Sequence, residues 1–560
     1  MNESLDFSSC RLPPFQHQRE DVAWLMAHPF ALIASEMRTG KSKIVCDAAQ
    51  FLFERGDVER VIVVAPAPVR DVWYDPQLGE IAKHAWTRVP NRVAEYHARL
   101  KWWENEAAVG KDAINQLRWI VTNFEFLRND ERLTTLLPFC GPRTLLVLDE
   151  SSFVKNASAQ QTKACMTLRK ACGRVVLLNG TPIFHSPLDL FSQGNLLSPS
   201  VLDCKFVSLF KARYAIQSPI LERGKPMVRY GKVVKEVTGW TNLDDLERRF
   251  APVTVRRLQK DCLDLPPKLD PVTLTATLTP ATWKAYKQMR DDLVVWLEGG
   301  EGTSGRVATA ATAAIKTLRL SQVTGGFLAG VEDAGIEEAN NDRGRLYAGE
   351  EGFPGLGHAD GADADAAPDD SRDAGGYSRG VVHQIEVGRE KLEVLLWFIE
   401  QRLEADPNLH LVAWTRFRAE LFRMVTVVRQ KFPQFQTGAI HGGQKKEERL
   451  AALALLKPET SPEGPVFVGG IEGTGSFGLD MTAAHTCVTM SSGYSPGRSA
   501  QTLDRVYGPG QKHPIAYFEV VAVGPKGQKT IDHDILVARR SGEDVARRTA
   551  AAWVKALTEE

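Results

Sequence analysis

Five short apolar runs in the first 200 residues each end on polar or glycine residues: ALIAS (31–35), VIVVAP (61–66), RWIVTN (118–123), TLLVLDE (144–150) and RVVLLNGTP (174–182). They are apolar at successive positions, not at alternate ones. Strands of that kind suit a parallel sheet buried on both faces. Amphipathic segments such as SKIVCDAAQFLFERG (42–56) lie between several of them. Strand and helix in alternation predict an α/β fold with a doubly wound parallel sheet.

The same rhythm returns after residue 388. HLVAWT (410–415), GAIHG (438–442), PVFVGG (465–470), TCVTMS (486–491) and IAYFEVVAV (515–523) read as strands, and 390–403 and 418–432 as helices. Between the two blocks, residues 201–328 carry a hairpin pattern (226–240) and helical stretches such as 279–299. Residues 329–380 are rich in Gly, Ala and Asp and poor in aliphatics, the composition of a flexible acidic linker. The expected organisation is two α/β lobes, 1–200 and 381–545, around a mainly helical insertion, with a tail at 546–560.

Lys plus Arg and Asp plus Glu both number 69, so the formal net charge is zero. That excludes a wholly basic nucleic-acid binder but leaves room for a local basic groove. The eight cysteines contain no CxxC pair and read as free thiols in a reducing compartment, not as a zinc site. The start, MNESLDFSSCRLPPF, lacks a signal-peptide pattern, and no run reaches the length of a membrane span. A cytoplasmic protein without membrane contact is expected.

SEMRTGKS (35–42) follows a strand and opens a helix. A loop there turns backbone N–H groups and the positive helix end toward phosphates. Arg38, Thr39 and Gly40 would line it, Lys41 would reach the outer phosphates, and Ser42 would hold Mg²⁺. Ser35 replaces the first Walker glycine, so this string alone is equally an ordinary strand–turn–helix. VLDESS (147–152) adds two carboxylates at the end of an apolar strand, where parallel sheets bind ligands. Asp149 would sit on the Mg²⁺ side through water, and Glu150 would deprotonate the attacking water. The two halves together predict a nucleotide site. Gln18, about 20 residues ahead of the loop, is placed to bond an adenine edge, or is a surface Gln on an amphipathic helix. GTGSFGLDMTAA (473–484), containing Thr474, Gly478 and Asp480, is a phosphate-approaching loop or a plain one. Gln501 and Arg505 stand four residues apart on one helical face. Such an arginine can stabilise charge on a transferring phosphoryl group.

In this order the motifs resemble a superfamily-two helicase core, specifically the Swi/Snf-type translocases of double-stranded DNA. The resemblance runs over about 12–545 and rests on HQREDVAWL (17–25), SEMRTGKS, VVAPAPVRDVWYDPQ (63–77), VTNFEFLR (121–128), VLDESSFVKN (147–156), LLNGTPIFHSPLDLFSQGNLL (177–197) and KTIDHDIL (529–536). Most telling is ERRFAPVTVRRLQKDCLDLPPK (247–268), similar to the family's Arg-Arg-x-Lys … Leu-Pro-x-Lys linker, with Gln259 and Lys260 shifting the usual lysine by one. The resemblance implies two RecA-like lobes with ATP, Mg²⁺ and DNA between them. It implies a monomeric motor that closes on ATP, reopens on hydrolysis, and meets DNA-bound or recruiting proteins. It also implies phosphate contacts to duplex DNA from Pro66, Asn123, Gly180, Thr181, His441, Gly442 and Thr474. The near-minimal size fits a bacterial or phage form.

Two departures stand out. The family's Asp-Arg-x-x-Arg-x-Gly-Gln reads DRVYGPGQ (504–511) here, so Gly508 occupies the second arginine position. Arg38 replaces a loop glycine. Gly508 keeps open a catalytically weak or inactive scaffold of the same fold; an RNA-directed helicase is a further alternative, against which DESS and the linker argue.

Overall fold

The computed structural model describes residues 5–77, 79–97, 115–180, 187–222, 225–229, 231–298, 310–328, 385–473, 480–493, 499 and 502–541. The acidic stretch 329–380 and the tail 546–560 lie outside the described residues. Two compact units divide at Pro267/Lys268, inside the 201–328 region. The first holds Met1–Pro267 with Ser476–Thr482 and Ala500–Lys512, and the second the remainder.

The first unit is built on a seven-stranded, wholly parallel sheet. Its strands are β1 (Phe30–Ile33), β2 (Arg60–Ala65), β3 (Asn91–Glu95), β4 (Leu117–Asn123), β5 (Thr144–Leu148), β6 (Arg174–Leu178) and a short strand, Thr254–Val255. Across the sheet the order is Thr254–Val255, β1, β6, β5, β2, β4, β3. Successive residues feed two separate cores. Ile62, Val64, Leu146, Leu148, Val175 and Leu177 enter one; Val61, Val63, Leu145, Val147, Val176 and Leu178 enter the other. Both faces are therefore covered, which is why these strands are apolar at every position. Fully burying each such side chain contributes roughly 1.5–3 kcal/mol. Helices α1 (Gln16–Ala27) and α2 (Lys41–Glu54) pack in the second core through Val22, Leu25, Ile44, Val45 and Ala48.

The second unit has a six-stranded parallel sheet in the order Val272–Thr277, Ala516–Val523, Thr486–Thr489, His410–Thr415, Val466–Ile471, Gln436–Ile440. Helices Glu390–Ala405 and Arg418–Lys431 bury Leu395, Phe398, Ile399, Met424 and Val428 against it. Lys391, almost fully buried, pairs with Asp532 at 2.6 Å and donates to the Met490 carbonyl. Asp532 also accepts from Thr324 Oγ1 and Ala522 N.

The region 201–328 contains strands as well as helices. Ala215–Pro219 pairs antiparallel with Lys235–Trp240, and Val228–Arg229 forms a tight hairpin with Lys232–Val233. Two pieces of it join the large sheets: Thr254–Val255 the first and Val272–Thr277 the second. The molecule is thus α/β, two doubly wound parallel sheets of RecA-like type with an intervening region between their main chain segments. Among the described residues no helix is long and apolar enough to cross a membrane.

Candidate functional site

Five of the loops that the motifs single out in the first unit leave the C-terminal edge of the same sheet. Ser35 to Gly40 follow β1, Pro66 follows β2, Asn123 closes β4, Asp149 and Glu150 follow β5, and Gly180 follows β6. That edge is where parallel sheets gather ligands.

The phosphate loop enters α2 through Gly40, which is left-handed at φ +86°. A Cβ there would lie 2.2 Å from Gln18 Nε2, so both backbone and space demand glycine. Gln18 is 4% exposed. Its Oε1 accepts from Phe15 N and its Nε2 donates to the Thr39 carbonyl, which His17 Nε2 also meets at 2.9 Å. Thr39 Oγ1 donates to the Glu36 carbonyl. Lys41 Nζ donates to the carbonyls of Ser35 (2.9 Å) and Glu36 (3.1 Å). Burial lowers the Lys41 pKa, against the pull of Glu150 and Asp149. Ser42 stands half-buried in the first turn of α2.

Ser35 at the first Walker position has a local reason. Its Oγ accepts from Arg257 N at 3.1 Å, and Glu36 N donates to the Arg257 carbonyl. The Arg257 guanidinium binds Asp21 of α1 at 2.6 Å. Gln259 N donates to Glu36 Oε2 and Gln259 Nε2 to the Met37 carbonyl. The Arg-Arg segment is therefore stapled onto the phosphate loop from behind. This role of Arg257 and Gln259 was not read from the sequence; the shifted lysine was the available signal.

Asp149 Oδ2 accepts from Trp73 Nε1 at 2.7 Å, and Oδ1 from Glu150 N at 3.0 Å. Trp73 is fully buried and was likewise not assigned this part in advance. Burial raises the Asp149 pKa. Burial and the adjacent Asp149 charge push Glu150 up to about 7, opposed by Lys41 and Arg505. Glu150 holds a left-handed φ of +52°, a strained backbone of the sort that collects at functional sites.

Arg505 belongs to a segment that is compact with the first unit. It is 7% exposed; burial first and Arg38 second depress its pKa to about 9. Arg38 is a non-glycine residue at φ +64°, a conformation that costs roughly 1 kcal/mol. Its guanidinium donates to the Arg505 carbonyl at 2.7 Å and lies 3.4 Å from Asp480 Oδ1. Asp480 Oδ1 also accepts from Thr482 Oγ1. Lys41, Asp149, Glu150, Arg38, Arg505 and Asp480 are thus gathered in one unit. Gln501, Gly478, Thr181 and Thr474 lie outside the described residues.

Among the described residues no three His, Cys, Asp or Glu side chains group as a metal cage. Mg²⁺ needs none, since water and phosphate supply most of its ligands. Two adjacent carboxylates whose ionisation is disfavoured by burial, and for Glu150 by the Asp149 charge, are short of positive charge, and they fit such a cation.

Of the expected DNA contacts, Asn123 Oδ1 accepts from Phe126 N, Pro66 opens the helix Ala67–Tyr74, and Gly180 lies beside Met37 and Lys41. His441 and Gly442 follow Gln436–Ile440 in the second unit. There Arg418 donates to the Gly442 carbonyl, and the His441 ring meets Phe422 edge-on at 5.0 Å.

The fold and the loop cluster define a class, that of paired RecA-like α/β lobes. Residues 17–323, just over half of the chain, match the SNF2-related domain, and the chain belongs to that family. It is 27% identical over 290 residues to the SWI/SNF-related matrix-associated actin-dependent regulator of chromatin subfamily A-like protein 1 of Xenopus laevis, a match covering 50% of this chain and 26% of that protein. It is 20% identical over 563 residues to the SNF2 domain-containing protein ENL1 of rice, covering 92% of this chain and 50% of that one. The chain therefore spans half or less of the length of these relatives. A solved SWI2/SNF2 ATPase core of Sulfolobus solfataricus in complex with dsDNA aligns over 98% of this chain and 96% of its own, at 18% identity and a TM-score of 0.38.

Proposed function

We propose that this protein is an ATP-dependent translocase of double-stranded DNA, a helicase-like ATPase that remodels DNA or displaces proteins bound to it. The observation that carries the reading is one buried cluster holding both halves of a nucleotide site. Lys41 on the phosphate loop and the Asp149–Glu150 pair at the end of β5 lie close enough to shift one another's ionisation.

In this reading the loop amides of Arg38 to Ser42 and the Lys41 ammonium hold the ATP phosphates. Lys41 now rests on two carbonyls, which phosphate oxygens would replace. Gln18 retains one amide hydrogen and one Oε1 lone pair for an adenine edge while it braces Thr39. Ser42 and Asp149 would hold Mg²⁺, whose chemistry there would be to neutralise charge on the phosphates. Trp73 fixes the Asp149 carboxylate. A Glu150 carboxyl poised near 7 can accept the proton of the attacking water at physiological pH. Arg505 answers the negative charge that develops on the transferred group. Pro66, Asn123, Gly180, His441 and Gly442 are the described candidates for the DNA phosphates, with Thr181 and Thr474 completing the proposed set; Gln501 and Gly478 belong to the proposed nucleotide site. Contacts of that type read little sequence and weaken with salt.

The test is steady-state ATP hydrolysis with duplex, single-stranded and branched DNA and with RNA, with Lys41→Ala as control. Duplex DNA is expected to stimulate turnover most, and Lys41→Ala to abolish it. Stimulation by RNA above duplex DNA would overturn the substrate assignment, and stimulation by no nucleic acid the whole reading.

A further inference from the structure

The two positions at which the chain departs most clearly from the family pattern touch one another. A Cβ on Gly508 would lie 2.9 Å from Arg38 Cγ, 3.1 Å from Cδ and 3.2 Å from Cβ. A side chain at 508 requires the stem of Arg38 to move, by a change of χ1 or of the loop that carries it. Arg38 in turn sits where a loop glycine is usual, in the left-handed conformation that glycine adopts at lower cost.

We propose that these are one exchange: the guanidinium that the family carries at position 508 is delivered here by Arg38, from the phosphate loop, as the second cation beside Arg505. The inference rests on the ATPase reading above. Arg38 is anchored for the task, since it donates to the Arg505 carbonyl and pairs with Asp480. It therefore ties the loop of one motif to the segment of another and fixes Arg505, which makes it a positioning residue. Its charge also acts on Arg505, as the largest charge–charge influence lowering that residue's pKa. The Arg38 guanidinium beside Arg505 puts two cations at one place, which favours a polyanion, and a triphosphate supplies one. In this account Gly508 is the vacancy that Arg38 fills, and the site is complete.

The experiment compares native protein with Arg38→Gly, Arg38→Lys, Gly508→Arg and the double variant Arg38→Gly/Gly508→Arg. Each is measured for kcat and KM of ATP at saturating duplex DNA, for binding of a fluorescent ATP analogue, and for melting temperature. Arg38→Gly is expected to lower kcat by roughly 10²-fold while KM stays within about threefold. Arg38→Lys should retain an intermediate rate, since charge survives without the fork. Gly508→Arg alone should be impaired by collision with Arg38, and the double variant should recover turnover above both single variants. Native-like turnover of Arg38→Gly would overturn the exchange. So would a double variant that melts like the native protein yet turns over no faster than the better single variant. If Gly508→Arg does not fold, the Gly, Lys and double variants still decide the matter. Glu150→Gln, run in parallel, separates the two levels. If it hydrolyses ATP normally, the ATPase reading has failed; if it is inactive while Arg38→Gly is native-like, only the exchange has failed.

Discussion

Replacing Glu150 by glutamine separates the chemistry of this site from its cost to the fold. The substitution keeps the shape and removes one negative charge. Burial and the neighbouring Asp149 raise the Glu150 carboxyl from 4.5 to about 7. A raised folded-state pKa means the native protein holds this proton more tightly than the unfolded chain does. Stability then falls as pH rises from about 4.5 to 7, and the full cost is in place above that window. At about 1.36 kcal/mol per unit, the cost approaches roughly 3 kcal/mol at pH 8 and is only about 1 kcal/mol at pH 5. Glu150→Gln should therefore melt several degrees higher than the native protein at pH 8, and by a much smaller margin at pH 5, in nucleotide-free calorimetry. The same protein should lose roughly 10²-fold or more in ATP turnover. An equal stability gain at both pH values, or none, would refute the reasoning about the buried pair, whatever the effect on rate.

Three further outcomes follow from particular contacts. Gly40→Ala forces a side chain into the left-handed loop position and onto Gln18 Nε2; it should destabilise the first unit by at least about 1 kcal/mol and weaken binding of a fluorescent ATP analogue, so unchanged affinity would count against the loop's role. Trp73→Phe removes the indole N–H from Asp149, leaves a small cavity beside it, and should lower kcat several-fold with KM for ATP little altered; a pure KM effect would point to packing instead. Asp532→Ala strands the buried Lys391 ammonium and should cost the second unit about 3–5 kcal/mol in urea denaturation, whereas a loss under about 1 kcal/mol would show that water relieves that charge.

The large strands were legible because burial on both faces leaves no alternative to continuous apolarity: Arg60–Ala65, Thr144–Leu148 and Arg174–Leu178 start within a residue of the apolar runs that announce them. Two strands of the intervening region were not. Thr254–Val255 and Val272–Thr277 owe their state to neighbours far away in sequence, β1 and Ala516–Val523, which no local pattern contains. The same limit applies to the site. Lys41, Asp149 and Glu150 are carried by local motifs, strand followed by loop, and were named from them. The pairing of Gly508 with Arg38 spans 470 positions and looked like two unrelated departures until both lay in one unit. Gln18 shows a subtler gap: the alternative of a surface Gln on an amphipathic helix fails, because the side chain is buried with its amide bracing Thr39.

The most direct test of a DNA motor is movement. A third strand annealed to a duplex track reports any protein that passes along it, and its release can be followed by fluorescence. The account predicts release that requires ATP and Mg²⁺, disappears with Lys41→Ala and Glu150→Gln, and grows slower as the track lengthens. Hydrolysis stimulated by duplex DNA without any release of the third strand would contradict it.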